Sequence, residues 1–565
     1  MNMSILRSRL KTWGLSVAIG LYALPATTHA QANDGTDKYF EISKNLEIFS
    51  NVFKELNQFY VDPIEPGKMV KTGVDAMLND LDPYTNLITE ADAEDYELQM
   101  TGKYGGIGAA TRTNDAGDII ISDLFEGGPI DKAGIKPGDI VVSINGQRIK
   151  GKSSDDVGLL MRGAPGTKLT MVIKHPLNGK ESTKEITREE IKLSSVPYAS
   201  LTGADKNIAY VYLTQFTQNC GRDVRNALDS LKRAQPALKG VVLDLRSNPG
   251  GLLDEAVNVC NIFVDRGQLV VSTKGKNKDW DKQYKTQTTS WDTEIPLTIL
   301  VNHGSASASE IVAGTTQDLD RGLIIGTRSF GKGLVQTVRT LGYNSRLKVT
   351  TAKYYTPTGR CIQALDYSHR NDDGSVSSVP DSLKKPFKTK IGRTVYDGGG
   401  IEPDVKMDDE RLSPLAITLL SKGFIFDYAT QYYYSHPTIA PAADFTLSEK
   451  EFKDFENWLS GKDYSYKTES EELLALLKEK ADKEKYFDNI KNEFNTLSAK
   501  LSHDKKQDLN NNKAEVINLL NNEIVSRYYY QRGRVINKLK LDDNDLKKAI
   551  MLLLNTQEYK SLLKV

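Results

Sequence analysis

GVVLDLRSNPGGLLDEAVNVC, residues 240–260, passes through three grammars in one run. From Gly240 to Arg246 apolar residues hold nearly every position, the pattern of a strand buried on both faces. Ser247-Asn248-Pro249-Gly250-Gly251 breaks that pattern with turn formers. Leu252, Leu253, Ala256, Val257, Val259 and Cys260 then follow at helical spacing. The same order recurs downstream, where residues 297–301 read as a strand and Ser305, Ser307 and Ser309 lead into a helix carrying Ala308, Ile311, Val312 and Thr315. Residues 208–213 and 220–231 supply a further strand and helix. Strand, glycine turn and helix in repetition specify a layered sheet-and-helix core.

A run such as SASAS is first of all a good helix start, because serine caps free N–H groups. Its surroundings point further. The N–H groups and positive dipole end of a packed helix stabilise a developing oxyanion, which makes the Ala308 N–H one candidate donor. The glycine turn offers a second, from Gly250 or Gly251, with no side chain in the way. A serine nucleophile also needs a base. His303 is near in sequence, but its place at a strand end next to the turn aims it poorly. Lys332, between Phe330 and Leu334-Val335, is the better candidate, since desolvation lowers a lysine pKa and frees the neutral amine. If this segment is extended, Lys332 and Gln336 share a face and Gln336 can orient the lysine.

Working upstream, residues 103–192 change to glycines and alternating strands, with Asn145-Gly146 as a hairpin turn. The run AGIKPGDIVVSING, 133–146, resembles a PDZ domain of the bacterial protease-associated kind. Such a domain adds an extended peptide to an exposed strand edge. By resemblance Gly106, Ile107 and Gly108 form the loop that captures a terminal carboxylate, with Arg162 as a nearby cation or a plain solvated arginine.

NHGSASASEIVAGTTQD at 302–318 and GTRSFGKGLVQ at 326–336 resemble the carboxyl-terminal processing, or tail-specific, protease family. So do LDLRSNPGG at 243–251, LDPYT at 81–85 and GGGIEPD at 398–404. The resemblance spans about residues 40–405. It implies a multidomain α+β and α/β chain with a crotonase/Clp-protease-like core, an inserted PDZ domain and helical N- and C-terminal modules. It implies an exported serine endopeptidase in which Ser307 is the nucleophile, Lys332 the base and Gln336 its support, with Ser305 and Ser309 as neighbours. The family turn often reads LDPHS; Tyr84 and Thr85 depart from it, outside the catalytic motifs. The expected segments are a signal peptide at 1–30, a helical module at 31–102, the PDZ domain at 103–192, the protease core at 193–410 and a second helical module at 411–565.

The rest of the chain narrows the function. Arg7, Arg9 and Lys11 precede a short apolar run from Trp13 to Leu24, then Pro25 and Thr28-His29-Ala30, the layout of a cleaved secretory signal. An exported, periplasmic protein is the expectation. Basic and acidic residues balance at 74 each, so no global field draws nucleic acid. Cys220, Cys260 and Cys361 match no zinc spacing and read as buried small hydrophobes. No metal and no organic cofactor is implied. The expected partners are protein C-terminal tails or unstructured segments, with a homodimer and an adaptor protein left open. Residues 38–60 carry Phe40, Leu46, Phe49, Val52, Phe53 and Leu56 at helical spacing, and Ser448 with Glu451 forms a capping box in the last module.

Two other readings fit parts of the sequence. Ser329-Phe330-Gly331-Lys332 matches the S-x-x-K pattern of penicillin-binding enzymes, but without a helix or partner motifs around it. A catalytically silent PDZ scaffold would bind tails without needing Ser307, Lys332 or Gln336.

Overall fold

The computed structural model describes residues 34–90, 92–371, 373–409, 411–501, 505–540 and 543–564, so the expected signal peptide lies outside the described residues. No helix among these residues is long and apolar enough to cross a membrane.

A six-stranded sheet forms the centre, in the order Tyr198–Thr202, Ile208–Tyr212, Gly240–Asp244, Leu297–Val301, Leu323–Gly326 and Val405–Lys406. The first pair is antiparallel and the others are parallel. Gly240–Asp244 and Leu297–Val301 are buried at every residue, as their continuous apolar runs require. Alternation divides the neighbours between two faces. Val241, Leu243, Ile299 and Val301 pack with residues of the helices Cys220–Ala234, Leu253–Phe263 and Ala308–Asp318. Val242, Leu300 and Ile325 pack on the other side with Leu546, Ala549 and Leu553, from the helix Asn544–Leu554, and with Tyr559.

The end of the chain thus closes the central sheet. Tyr559 donates its hydroxyl to the carbonyl of Leu297 at 2.8 Å. Arg246, at the end of the strand Gly240–Asp244, bridges Asp244 and Asp543, each at 2.6 Å. Nothing in the composition of residues 411–565 announced this return.

A second sheet is built on the long strand Arg346–Tyr355, which pairs with Asn86–Ile88, Leu269–Gly275 and Leu334–Thr340. The PDZ-like segment forms a sheet ordered Ala109–Thr113, Ile119–Leu124, Ile140–Ile144, Lys168–Lys174 and Glu181–Thr187, with Ala109–Thr113 at the edge. Its hairpin turns at Asn145 (φ 48°) and Gly146 (φ 79°), two left-handed positions that the Asn-Gly pair tolerates. In the C-terminal helices the expected capping box is formed, with Ser448 N–H on Glu451 Oε2 at 2.7 Å and Glu451 N–H on Ser448 Oγ at 3.3 Å.

The first unit, which runs to Val74, contains the helix Asp34–Phe59. Its periodicity made a helix but not a buried face: Phe40 is 66% and Phe49 51% exposed. The helix Phe487–Leu501 likewise buries none of its apolar positions.

Candidate active site

The three serines fall into two kinds. Ser305 Oγ donates to the carbonyl of Leu245 at 2.8 Å and Ser309 Oγ to that of Asn248 at 2.9 Å, both buried. They fasten the start of the helix Ala308–Asp318 to the turn after Gly240–Asp244. Ser307 is half-buried and carries φ 55°, ψ −111°, left-handed backbone that a residue with a Cβ adopts only at a cost. Its side chain opens into a cleft of about 530 Å³ that Ala308, Gly250, Gly251, Lys332 and Gln336 also line.

The glycine turn fits against this strained serine. Gly250 has φ 99°, and a Cβ there would lie 2.7 Å from the carbonyl of Ala306, 2.9 Å from the Ala308 nitrogen and 2.9 Å from Ser307 Cβ. The two glycines differ in what their N–H groups do. That of Gly250 already donates to Asn248 Oδ1 at 2.9 Å, which leaves Gly251 as the free donor of the two. Among the described residues no acceptor meets the N–H of Gly251 or of Ala308. Gly250 thus serves by lacking a side chain. Gly250→Ala is expected to lower kcat/KM about 100-fold or more, because it crowds one donor and must hold an L residue at positive φ. Steady-state kinetics against wild type check this.

Lys332 lies in the loop before the strand Leu334–Thr340, half-buried. Burial and the neighbouring Lys348 push its pKa down to about 8, against the opposing pull of Asp82 and Glu310. No hydrogen bond joins Lys332 Nζ to Ser307 or Gln336; the ammonium stands 4.3 Å from the centroid of the Tyr84 ring. Lys332 and Gln336 both line the cleft. Lys332 precedes the strand and Gln336 lies within it, beside a bulge whose extra residue, Thr351, is on the partner strand. Gln336 Nε2 donates to Thr350 Oγ1 at 3.1 Å instead.

Two groups near this cleft escaped the sequence reading. Glu310 is fully buried and accepts four hydrogen bonds: from the N–H of Ser307 (2.8 Å) and of Lys332 (2.9 Å) at Oε2, and from Gly331 N–H (2.7 Å) and Ser329 Oγ (2.6 Å) at Oε1. Burial pushes its carboxyl up to about 7 while these donors hold it down. One carboxylate therefore clips the backbone of the serine to that of the lysine. Ser307-x-x-Glu310 has capping-box spacing, a signal that could have found it. The other is Tyr84. The turn at 81–85 lies outside the catalytic motifs in sequence, yet its tyrosine ring covers the lysine.

His303 is 76% exposed and 3.7 Å from Asp409, outside the cleft. Ser329 lies in an extended loop with its hydroxyl on Glu310, not on a helix turn with Lys332. Cys220, Cys260 and Cys361 are free thiols, the first two buried.

A second groove, of about 470 Å³, runs between the edge strand Ala109–Thr113 and the helix Ser154–Met161. Ile107 and Gly108 line it, while Gly106 pairs with Glu189 in a short strand below. Arg162 also lines this groove, ion-paired with Asp95.

Comparison with known proteins agrees with this layout. Residues 207–367 match peptidase family S41, 96–174 match a PDZ domain, and 415–553 match the C-terminal helical domain of a probable PDZ-protease. That last match carries the likeness into the segment whose motifs had not shown it. A carboxy-terminal-processing protease of Bartonella bacilliformis is 36% identical over 353 residues, 62% of this chain and 78% of that protein. A probable CtpA-like serine protease of Staphylococcus aureus is 32% identical over 440 residues, 75% of this chain and 82% of that one. Among solved structures, a photosystem II D1 C-terminal processing protease aligns with 28% identity over 65% of this chain and 93% of that chain, at a TM-score of 0.34.

Proposed function

The chain belongs to the carboxy-terminal-processing protease family of PDZ-bearing serine peptidases, and we propose that Ser307 and Lys332 carry its chemistry. The observation behind this is one cleft holding a serine at strained helix-start backbone and a half-buried lysine whose pKa is lowered to about 8.

In the proposed reaction the neutral Lys332 amine takes the Ser307 proton as Oγ bonds to the scissile carbonyl carbon. The oxyanion that forms is proposed to be met by the N–H groups of Ala308 and Gly251, which have no other acceptor among the described residues. Lys332 then gives its proton to the leaving amine, and the C–N bond breaks to leave an acyl-enzyme ester on Ser307. Water attacks that ester with Lys332 again as base, and the serine is restored. Gln336 sits beside this path, tied to Thr350, and supports the lysine side of the cleft.

The edge strand Ala109–Thr113 and the loop at Ile107 and Gly108, which Gly106 leads into from its short strand, are proposed to hold the substrate's tail, with loop N–H groups on its carboxylate. Tail binding is proposed to shift the protease from a resting to an active arrangement. The repeated strand–turn–helix order supports a crotonase/Clp-protease-like core within proposed limits of 193–410, flanked by modules at 31–102, 103–192 and 411–565. Export to the periplasm and a homodimer complete the reading.

The test is cleavage of an unfolded reporter protein with a free or an amidated C-terminus. Amidation is expected to raise KM about tenfold or more and to leave kcat nearly unchanged, because it removes charge-assisted hydrogen bonds made in binding. Equal KM values for the two reporters would remove the carboxylate loop from the proposal.

A further inference from the structure

The turn at 81–85 is held with more bonds than a connection needs. Asp82 is buried and accepts from Tyr84 N–H and Thr85 N–H, each at 2.8 Å, and from Thr85 Oγ1 at 3.1 Å. Thr350 N–H donates to Thr85 Oγ1 at 3.1 Å, which fixes the turn to the strand Arg346–Tyr355. Tyr84 meets Tyr367 edge-on, with ring centroids 6.0 Å apart and an interplanar angle of 88°. The product of this bracing is a fixed aromatic face under Lys332 Nζ, 4.3 Å away.

We infer that Tyr84 is a positioning residue for the peptidase reaction: its ring holds the Lys332 ammonium apart from Ser307 and favours the charged, non-basic form. The inference rests on the reading of Lys332 as the base of Ser307. An ammonium is drawn to the face of an aromatic ring by the ring quadrupole, and a neutral amine is not. Release of the proton and departure from the ring are therefore coupled. The other groups that act on Lys332 do not do this together. Lys348, on the strand Arg346–Tyr355, repels the charged form; Asp82 and Glu310 attract it, but no hydrogen bond joins either to Nζ. Thr350 ties the two sides of the arrangement, since it accepts from Gln336 and donates to Thr85.

The test reads the serine directly, without a protein substrate or the PDZ groove. The full chain is inactivated by diisopropyl fluorophosphate between about pH 5.5 and 10, and the second-order rate is followed. Ser307 Oγ bonds to phosphorus, fluoride leaves, and the serine proton passes to Lys332. In Tyr84→Phe the ring remains, and the rate profile is expected to stay with wild type. In Tyr84→Leu the face is lost, and the acid limb should move down by about half a pH unit, giving about threefold faster labelling near pH 6.5. A leucine limb that stays in place or moves up overturns the inference, as does an equal shift in Tyr84→Phe. Slower labelling of Tyr84→Leu at every pH with an unmoved limb would mean a structural role alone. Rapid labelling of Lys332→Ala at Ser307 would instead sink the dyad, and this inference with it.

Discussion

Lys332→Ala is expected to lower kcat/KM on an unfolded protein by about 10⁴-fold or more, close to the loss in Ser307→Ala. The reason is the absence of a substitute. His303, the histidine nearest in sequence, is 76% exposed and lies by Asp409. A lysine is an effective base near neutrality only when its proton is held loosely. With its pKa lowered to about 8 by burial and by Lys348, about one Lys332 in ten is neutral at pH 7, against fewer than one in a thousand for an ordinary lysine. The wild-type rate should therefore rise about tenfold per pH unit on the acid side and level off above about pH 8. Lys332→Arg should be as inactive as Lys332→Ala, since a guanidinium does not deprotonate in this range. More than a tenth of wild-type activity in either variant would exclude the dyad, and an unchanged rate in His303→Ala is expected alongside.

Glu310→Gln is expected to cost about 3 kcal/mol of stability and about 10²–10³-fold in kcat/KM. The carboxylate offers two accepting oxygens to four donors, with Ser307 and Lys332 on one and Ser329 and Gly331 on the other. An amide keeps one accepting oxygen and turns its own N–H groups on the remaining pair. Two buried donors lose their partner and face another donor, and the backbone links that set the serine against the lysine loosen. Thermal unfolding and steady-state kinetics on the same preparation read both effects. Activity that survives a measured loss of stability would make Glu310 a structural clip alone.

Much of the fold was legible because it depends on local pattern. Continuous apolar runs gave strands buried on both faces at Gly240–Asp244 and Leu297–Val301. Asn145-Gly146 marked a hairpin, and Ser448 with Glu451 a helix start. The helix over Asp34–Phe59 was equally plain, but periodicity reports that a face can be buried, not that a partner is there. The return of Tyr559 and Asp543 to the central sheet was not legible. It joins residues 262 and 297 positions apart along the chain and leaves no local trace.

Residue types and short spacings singled out by themselves the candidate groups for peptide hydrolysis: three serines at a helix start, a glycine turn, and a lysine among apolar neighbours. Only the tertiary structure decided how those groups are held. It set Gly250 against Ser307 with its N–H turned to Asn248, and left the N–H of Gly251 facing no acceptor. It tied Gln336 to Thr350, placed Glu310 between the two loops, and brought Tyr84 over Lys332. The physical reason is range. Burial pattern and capping act over a few residues, whereas a lysine's proton affinity and a donor's direction depend on whatever the whole fold packs around them.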